Sequence, residues 1–101
     1  GAEVVMPTES EETVLHLAAA AGMTQVVKEL LIRSPNLIDF QDAEGMTPLM
    51  RAAAHDRSAA VQTLLSKGAR KDLVDAKGRS VKDVAEQSKS DSSLQALLYW
   101  T

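Results

Sequence analysis

The sequence predicts an all-α solenoid: helix-turn-helix pairs stacked side by side, joined by connectors that project as β-turns or hairpin-like fingers. Three observations carry this. First, EETVLHLAAAAGMTQVVKELL, GMTPLMRAAAHDRSAAVQTLL and GRSVKDVAEQSKSDSSLQALL are variants of one sentence. Thr13 and Thr47 lie 34 residues apart, Thr47 and Ser80 lie 33 apart, and the pairs Leu30-Leu31, Leu64-Leu65 and Leu97-Leu98 keep the same offsets. A period of this size is one supersecondary unit stacked on copies of itself. Second, the chain is 45% hydrophobic but only 3% aromatic. Its core must therefore be built of Ala, Leu, Val, Ile and Met, and small side chains let helices approach closely. Third, 101 residues suffice for one small domain with a single core.

Residues 1–11 read as an irregular, acidic lead-in containing Pro7, Thr8 and Ser10, with Gly1-Ala2 expected to be a cloning remnant or, alternatively, a processed end. Val4, Val5 and Met6 could fold back onto the first unit. Residues 12–101 read as a single domain with units at about 12–41, 42–74 and 75–101.

Within the first unit, Leu15, Ala18, Ala19 and Gly22 recur at helical spacing, and Gly22 ends that helix. Thr24 is the expected N-cap of a second helix, with Val26, Val27, Leu30 and Leu31 on its buried face. In the second unit Thr47 is the expected cap and Pro48 opens the first turn. Ala52, Ala53, Val61, Leu64 and Leu65 continue the apolar face. Asp56 stands where the first unit has Gly22, and Ser58 is the next expected cap. In the third unit Ser80 and Asp83 form a capping-box pattern. Val81, Val84 and Ala85 are expected to face inward, then Leu94, Leu97 and Leu98. Between the pairs, Asp42-Ala43-Glu44-Gly45 and Asp75-Ala76-Lys77-Gly78 each carry a Gly suited to a tight turn.

Composition narrows the function classes. The absence of Cys excludes a disulfide framework, a zinc-thiolate site and a cysteine nucleophile, and suits a reducing compartment. No stretch is long and apolar enough to span a membrane, and no signal pattern opens the chain. The net charge of −3 divides unevenly: residues 1–50 hold two basic and eight acidic side chains (−6), and residues 51–101 nine basic and six acidic (+3). Lys67, Arg70, Lys71, Lys77, Arg79 and Lys82 could meet an acidic peptide or anionic lipid. With Tyr99 and Trp100 the only Tyr and Trp, no stacking platform for nucleic acid exists. Tyr99 and Trp100 are expected to pack over the last helix. His55 lacks partners for a metal site, no nucleophile-base pair or phosphate loop stands out, and no cofactor is expected.

The pattern resembles the ankyrin repeat. Its motif, G-x-T-P-L-H-x-A-A, then V-V-x-x-L-L-x-x-G-A, then D-x-x-G, is met in the second unit by Gly45, Thr47, Pro48, Leu49, Ala52, Ala53, Val61, Leu64, Leu65, Gly68, Ala69, Asp75 and Gly78. The first unit keeps Thr13, Leu15, His16, Ala18, Ala19, Gly22, Val26, Val27, Leu30 and Leu31. The third keeps Gly78, Ala85, Leu94, Leu97 and Leu98, and its polar run from Gln87 to Ser93 suits a C-terminal cap. Departures are Glu11, Val14 and Ser34-Pro35 in the first unit, one extra residue before Asp42, and Met50 where the family has His. That His bonds across the turn, so the link is expected at His16 and lost at Met50.

The resemblance implies an ankyrin-repeat solenoid acting as a non-catalytic, monomeric, intracellular protein-interaction module, cytoplasmic or nuclear. Its protein or peptide partner would meet the connector tips Ala43, Glu44, Met46, Ala76, Lys77 and Arg79. It would also meet the inner-helix positions Ala20, Ala21, Arg51, Ala54, His55, Gln87 and Ser88. Arg51 leads this set as an anchor in a variable slot, and Met46 follows as an exposed, adaptable apolar tip. A second implied reading is a regulatory or targeting segment of a larger enzyme, lipid-transfer or signalling protein. A third is a piece of a longer repeat array.

Overall fold

The computed structural model describes residues 13–99. The expectations placed on residues 1–12 and on Trp100 lie outside the described residues. Six helices follow in order: α1 (Val14–Ala21), α2 (Thr24–Arg33), α3 (Pro48–Ala54), α4 (Ser58–Ser66), α5 (Val81–Gln87) and α6 (Asp91–Tyr99). A short 3-10 turn, Pro35–Leu37, follows α2. It takes up the extra residue of the first unit. Helices α1, α3 and α5 pack on one another as an inner layer, α2, α4 and α6 as an outer layer, and each pair packs within its own unit.

The inner helices start where the sequence places them. Thr13, Thr47 and Ser80 are extended N-caps whose hydroxyls accept from the N–H groups of His16, Met50 and Asp83. Satisfying these otherwise unpaired donors fixes each helix start. At α1 the capping box is closed by a histidine. The Thr13 N–H donates to His16 Nδ1 at 3.2 Å. The ring proton therefore sits on Nε2, which donates across the unit boundary to the Met46 carbonyl at 2.7 Å. The link expected at His16 is present, and Met50 instead buries its side chain.

The outer helices correct two expectations. Thr24 and Ser58 are the first helical residues, and neither caps. The caps are Met23 and Arg57, with no side-chain bond. Each inner helix ends in a left-handed residue, Gly22, Asp56 or Lys89. The outer helix begins so soon afterwards that the Met23 and Arg57 carbonyls already accept from Val27 and Val61. Asp56 takes a further role, its carboxylate accepting from the Ser93 N–H at 3.0 Å and holding the start of α6.

The core is the repeated set: Leu15, Ala19, Val27, Leu49, Ala52, Ala53, Val61, Leu64, Val84, Ala85 and their neighbours. Burial departs from the pattern at the ends of the stack. Val26 is exposed, although its counterpart Ala60 is fully buried between units. Leu98 is 59% exposed, because no following unit covers it among the described residues as one covers Leu31 and Leu65. Tyr99 is 85% exposed and does not pack as a lid.

Ser93 occupies the position of Ala60, is fully buried, and its hydroxyl has no hydrogen-bond partner among the described residues. A buried unpaired hydroxyl costs about 1–3 kcal/mol. Ser93→Ala is therefore expected to stabilise the chain by about 1 kcal/mol. Urea denaturation checks it; a lower midpoint would show that the hydroxyl has a stabilising contact.

Candidate interaction surface

The connectors are built by two aspartates. In Asp42–Met46, Asp42 Oδ1 accepts from the Glu44 and Met46 N–H groups, both at 2.9 Å. Main-chain bonds run from Gly45 N to Asp42 O (2.8 Å) and from Asp42 N to Met46 O (3.0 Å). In Asp75–Arg79, Asp75 Oδ1 accepts from Lys77 and Arg79 in the same way, at 2.9 Å each. A Val74–Ser80 bridge continues this second finger. The hairpin-like form expected of the connectors is thus set by side-chain mimicry of a turn.

The second carboxylate oxygen needs a cation, and the two units supply it from different places. Asp42 Oδ2 is held by Arg51 of α3, at 2.6 Å from Nη2 and 3.1 Å from Nε. Arg51 Nη2 also reaches Glu44 Oε1 at 3.1 Å. Asp75 Oδ2 is held instead by Arg79 within its own finger, at 2.7 Å. In register, Met46 corresponds to Arg79 and Arg51 to Val84. The two units have exchanged an arginine and an apolar residue between the same pair of slots.

This exchange corrects the expectation for Met46. It is 4% exposed and part of the core, not an exposed tip. A thioether offers nothing to Asp42, so it turns inward while Arg51 serves the carboxylate. Arg51 itself is only 19% exposed and is bound into the first connector.

Burial alone would raise the Asp42 carboxyl, but the Arg51 hydrogen bond and charge and the Met46 and Glu44 N–H groups outweigh it. The carboxyl is held below its ordinary range. Asp75 is likewise lowered: burial opposes its charge, and the N–H groups and guanidinium of Arg79, with the Lys77 N–H, prevail.

The remaining expected residues separate by exposure. Ala43, Glu44, Ala76 and Lys77 are exposed at the tips. Arg79 is half-buried and donates to the exposed Gln87 at 2.8 Å. At the C-terminal ends of the inner helices Ala21, His55 and Ser88 form one exposed register row, and the half-buried Ala20 and Ala54 with the exposed Gln87 form the adjacent row. Sequence reasoning missed the organising role of Asp42, Asp75 and Gln41. The repeated Asp-Ala-x-Gly was the available signal for the aspartates. Gln41, which bridges the Gly45 and Val74 carbonyls at 2.9 and 2.8 Å, has Val74 as its counterpart and left no repeated signal. Among the described residues no group of three His, Cys, Asp or Glu could hold a metal ion, and no helix is long and apolar enough to cross a membrane.

The family model described as ankyrin repeats (3 copies) matches residues 1–75. The chain is 36% identical over 86 residues to the probable 26S proteasome regulatory subunit p28 of Saccharomyces cerevisiae, covering 84% of this chain and 38% of that protein. It is 34% identical over 85 residues to the NF-kappa-B inhibitor delta of Mus musculus, covering 82% of this chain and 26% of that one. Against the ankyrin repeat family A protein 2 of Homo sapiens it is 43% identical over 67 residues, covering 66% of this chain and 20% of the relative. The chain thus spans well under half the length of these relatives.

Proposed function

The chain belongs to the ankyrin-repeat family, and from that premise we propose that it is a non-catalytic, monomeric, intracellular module that binds a partner protein. Contact is made through the connector tips and the concave face of the inner helices. One observation carries the reading. The positions that pack repeat from unit to unit, whereas the residue of the exposed row Ala21–His55–Ser88 changes in every unit, and in the adjacent row the half-buried Ala20 and Ala54 give way to the exposed Gln87. Residues released from packing are the ones a repeat protein can vary for recognition. His55, Gln87 and Lys77 lead the surface, with Ala43, Glu44 and Ala54 beside them. Arg51 and Arg79 act mainly by holding the fingers in place.

A second reading is a regulatory segment of a larger protein. Its support is that two relatives carry the names of a regulatory subunit and an inhibitor, and that the chain spans a minor share of each.

Photo-cross-linking separates a concave contact from a general stickiness. A cross-linking amino acid at position 55, on the concave row, is expected to trap a discrete partner from cell extract. The same group at position 62, on the outer helix α4, is expected to trap none. Equal trapping at both positions would overturn the concave-face reading.

A further inference from the structure

The only two isoleucines of the chain, Ile32 and Ile38, line one pocket. Leu31, Pro35 and Lys67 complete its walls, and it encloses about 190 Å³. In register Ile32 stands where the second unit has Ser66, and Ile38 where it has Lys71. The repeat itself therefore asks for no apolar side chain at either place. The pocket comes from the departure of the first unit: the 3-10 turn Pro35–Leu37, anchored by the buried Leu37, sets Pro35 and Ile38 beside the end of α2. Ile32 is left 76% exposed. A single exposed isoleucine is ordinary on a protein surface, but apolar side chains gathered into a concavity mark a contact site.

The pocket lies inside the stack and not at its end. Four of its residues belong to the first unit, and Lys67 is the C-cap of α4 in the second. These two units already pack on each other, α2 against α4 and α1 against α3. A further repeat at either end of the stack would pack beyond them and leave the pocket as it is. Size narrows the occupant. Sites for cofactors and drug-sized ligands run from about 300 to 1,000 Å³, so this one suits a single bulky side chain. Its one charged lining group is Lys67, which is exposed and makes no ion pair among the described residues.

We propose that this pocket takes a bulky aliphatic side chain of a partner protein, flanked in that partner by an acidic residue whose carboxylate meets the Lys67 ammonium. Burial against Leu31, Ile32, Pro35 and Ile38 supplies attachment. Charge complementarity at Lys67 supplies choice. The pocket is formed at the ends of two outer helices, so it is a second contact, separate from the concave rows and independent of them.

The test titrates the 101-residue chain, labelled at isoleucine methyls and backbone amides, with acetyl-Ser-Glu-Leu-Glu-Ser-amide. Both isoleucine methyl signals report on the pocket, and both are expected to shift. Replacing the probe's leucine by alanine is expected to weaken binding about tenfold, and replacing its glutamates by glutamine about threefold. Ile32→Ser installs the residue that the second unit carries at this register, and is expected to weaken binding about fivefold or more with melting unchanged. Lys67→Gln is expected to abolish the preference for the glutamate probe over the glutamine one while keeping the preference for leucine over alanine. No methyl shift at about 5 mM probe, equal binding of the alanine probe, or wild-type affinity in Ile32→Ser would overturn the proposal. So would isoleucine signals that move on Val4→Ser/Val5→Ser substitution without probe, because the chain's own lead-in would then be the occupant. Amide shifts confined to Ala54, His55 and Gln87 would also overturn it, while leaving the concave-face reading standing.

Discussion

Gly45→Ala is expected to lower the free energy of unfolding by about 3 kcal/mol, and Gly78→Ala by only about 1 kcal/mol. The two glycines share a left-handed backbone, with φ of 77° and 78°. Each substitution therefore incurs the same cost of forcing an L-residue into that region, about 1–2 kcal/mol. Only at Gly45 does the new methyl also meet backbone, 2.5 Å from the Ala76 nitrogen. Backbone cannot move aside as the end of a flexible side chain can, so the fingers must part and the 2.9 Å bond from the Ala76 N–H to the Glu44 carbonyl is lost. Chemical denaturation of the two variants followed by circular dichroism measures the difference. Equal losses would mean that the fingers do not touch in solution.

Asp42→Asn is expected to cost about 2 kcal/mol at neutral pH, and to remove much of the acid sensitivity of the fold. Its carboxylate side chain is fully buried beneath Arg51, which is itself 19% exposed. Removing one partner of such a pair strands the other, and the partial hydration of Arg51 keeps the cost at the lower end. The amide also turns an N–H₂ toward the guanidinium. The pH dependence follows from the direction of the shift. Asp42 and Asp75 ionise at lower pH when folded than when unfolded. Their stabilisation is complete above the unfolded carboxylate value of about 3.9 and is lost as pH falls through the depressed folded values. Wild-type stability should therefore drop steeply below about pH 4, and Asp42→Asn should drop less over the same interval. Unfolding curves between about pH 2 and 6 check this; parallel profiles would show that the Asp42 carboxylate is not the group responsible.

The fold was legible wherever a residue's role depends on its own unit. Thr13, Thr47 and Ser80 cap because a hydroxyl three residues ahead of an unpaired N–H does so in any copy. Ser80 with Asp83 closes the expected box, whereas the box that Thr13 closes with His16 was not among the expectations. Legibility failed where the role depends on the neighbour. Val26 and Leu98 carry the same pattern as their buried counterparts, yet lie at ends of the stack where no described unit covers them. Thr24 and Ser58 look like caps, but the tightness of the preceding left-handed turn moves the cap one residue back. Met46 misled because it was read alone. Only the register against Arg79 and Val84 shows that a cation must serve each finger's aspartate, and that the position left over turns inward. The same exchange makes Arg51 a part of the scaffold. His55 and Gln87 then stand out on the surface: both are exposed, and neither recurs at its register position in the other units.

The central claim is that this unrepeated concave row binds the partner while the repeated positions hold the stack. The measurement that tests it most directly is the affinity of the His55→Ala/Gln87→Ala double variant for the protein trapped at position 55, with thermal unfolding recorded on the same samples. The account predicts a dissociation constant raised about tenfold or more, with melting within about 2 °C of wild type. Unchanged affinity at unchanged melting would contradict it.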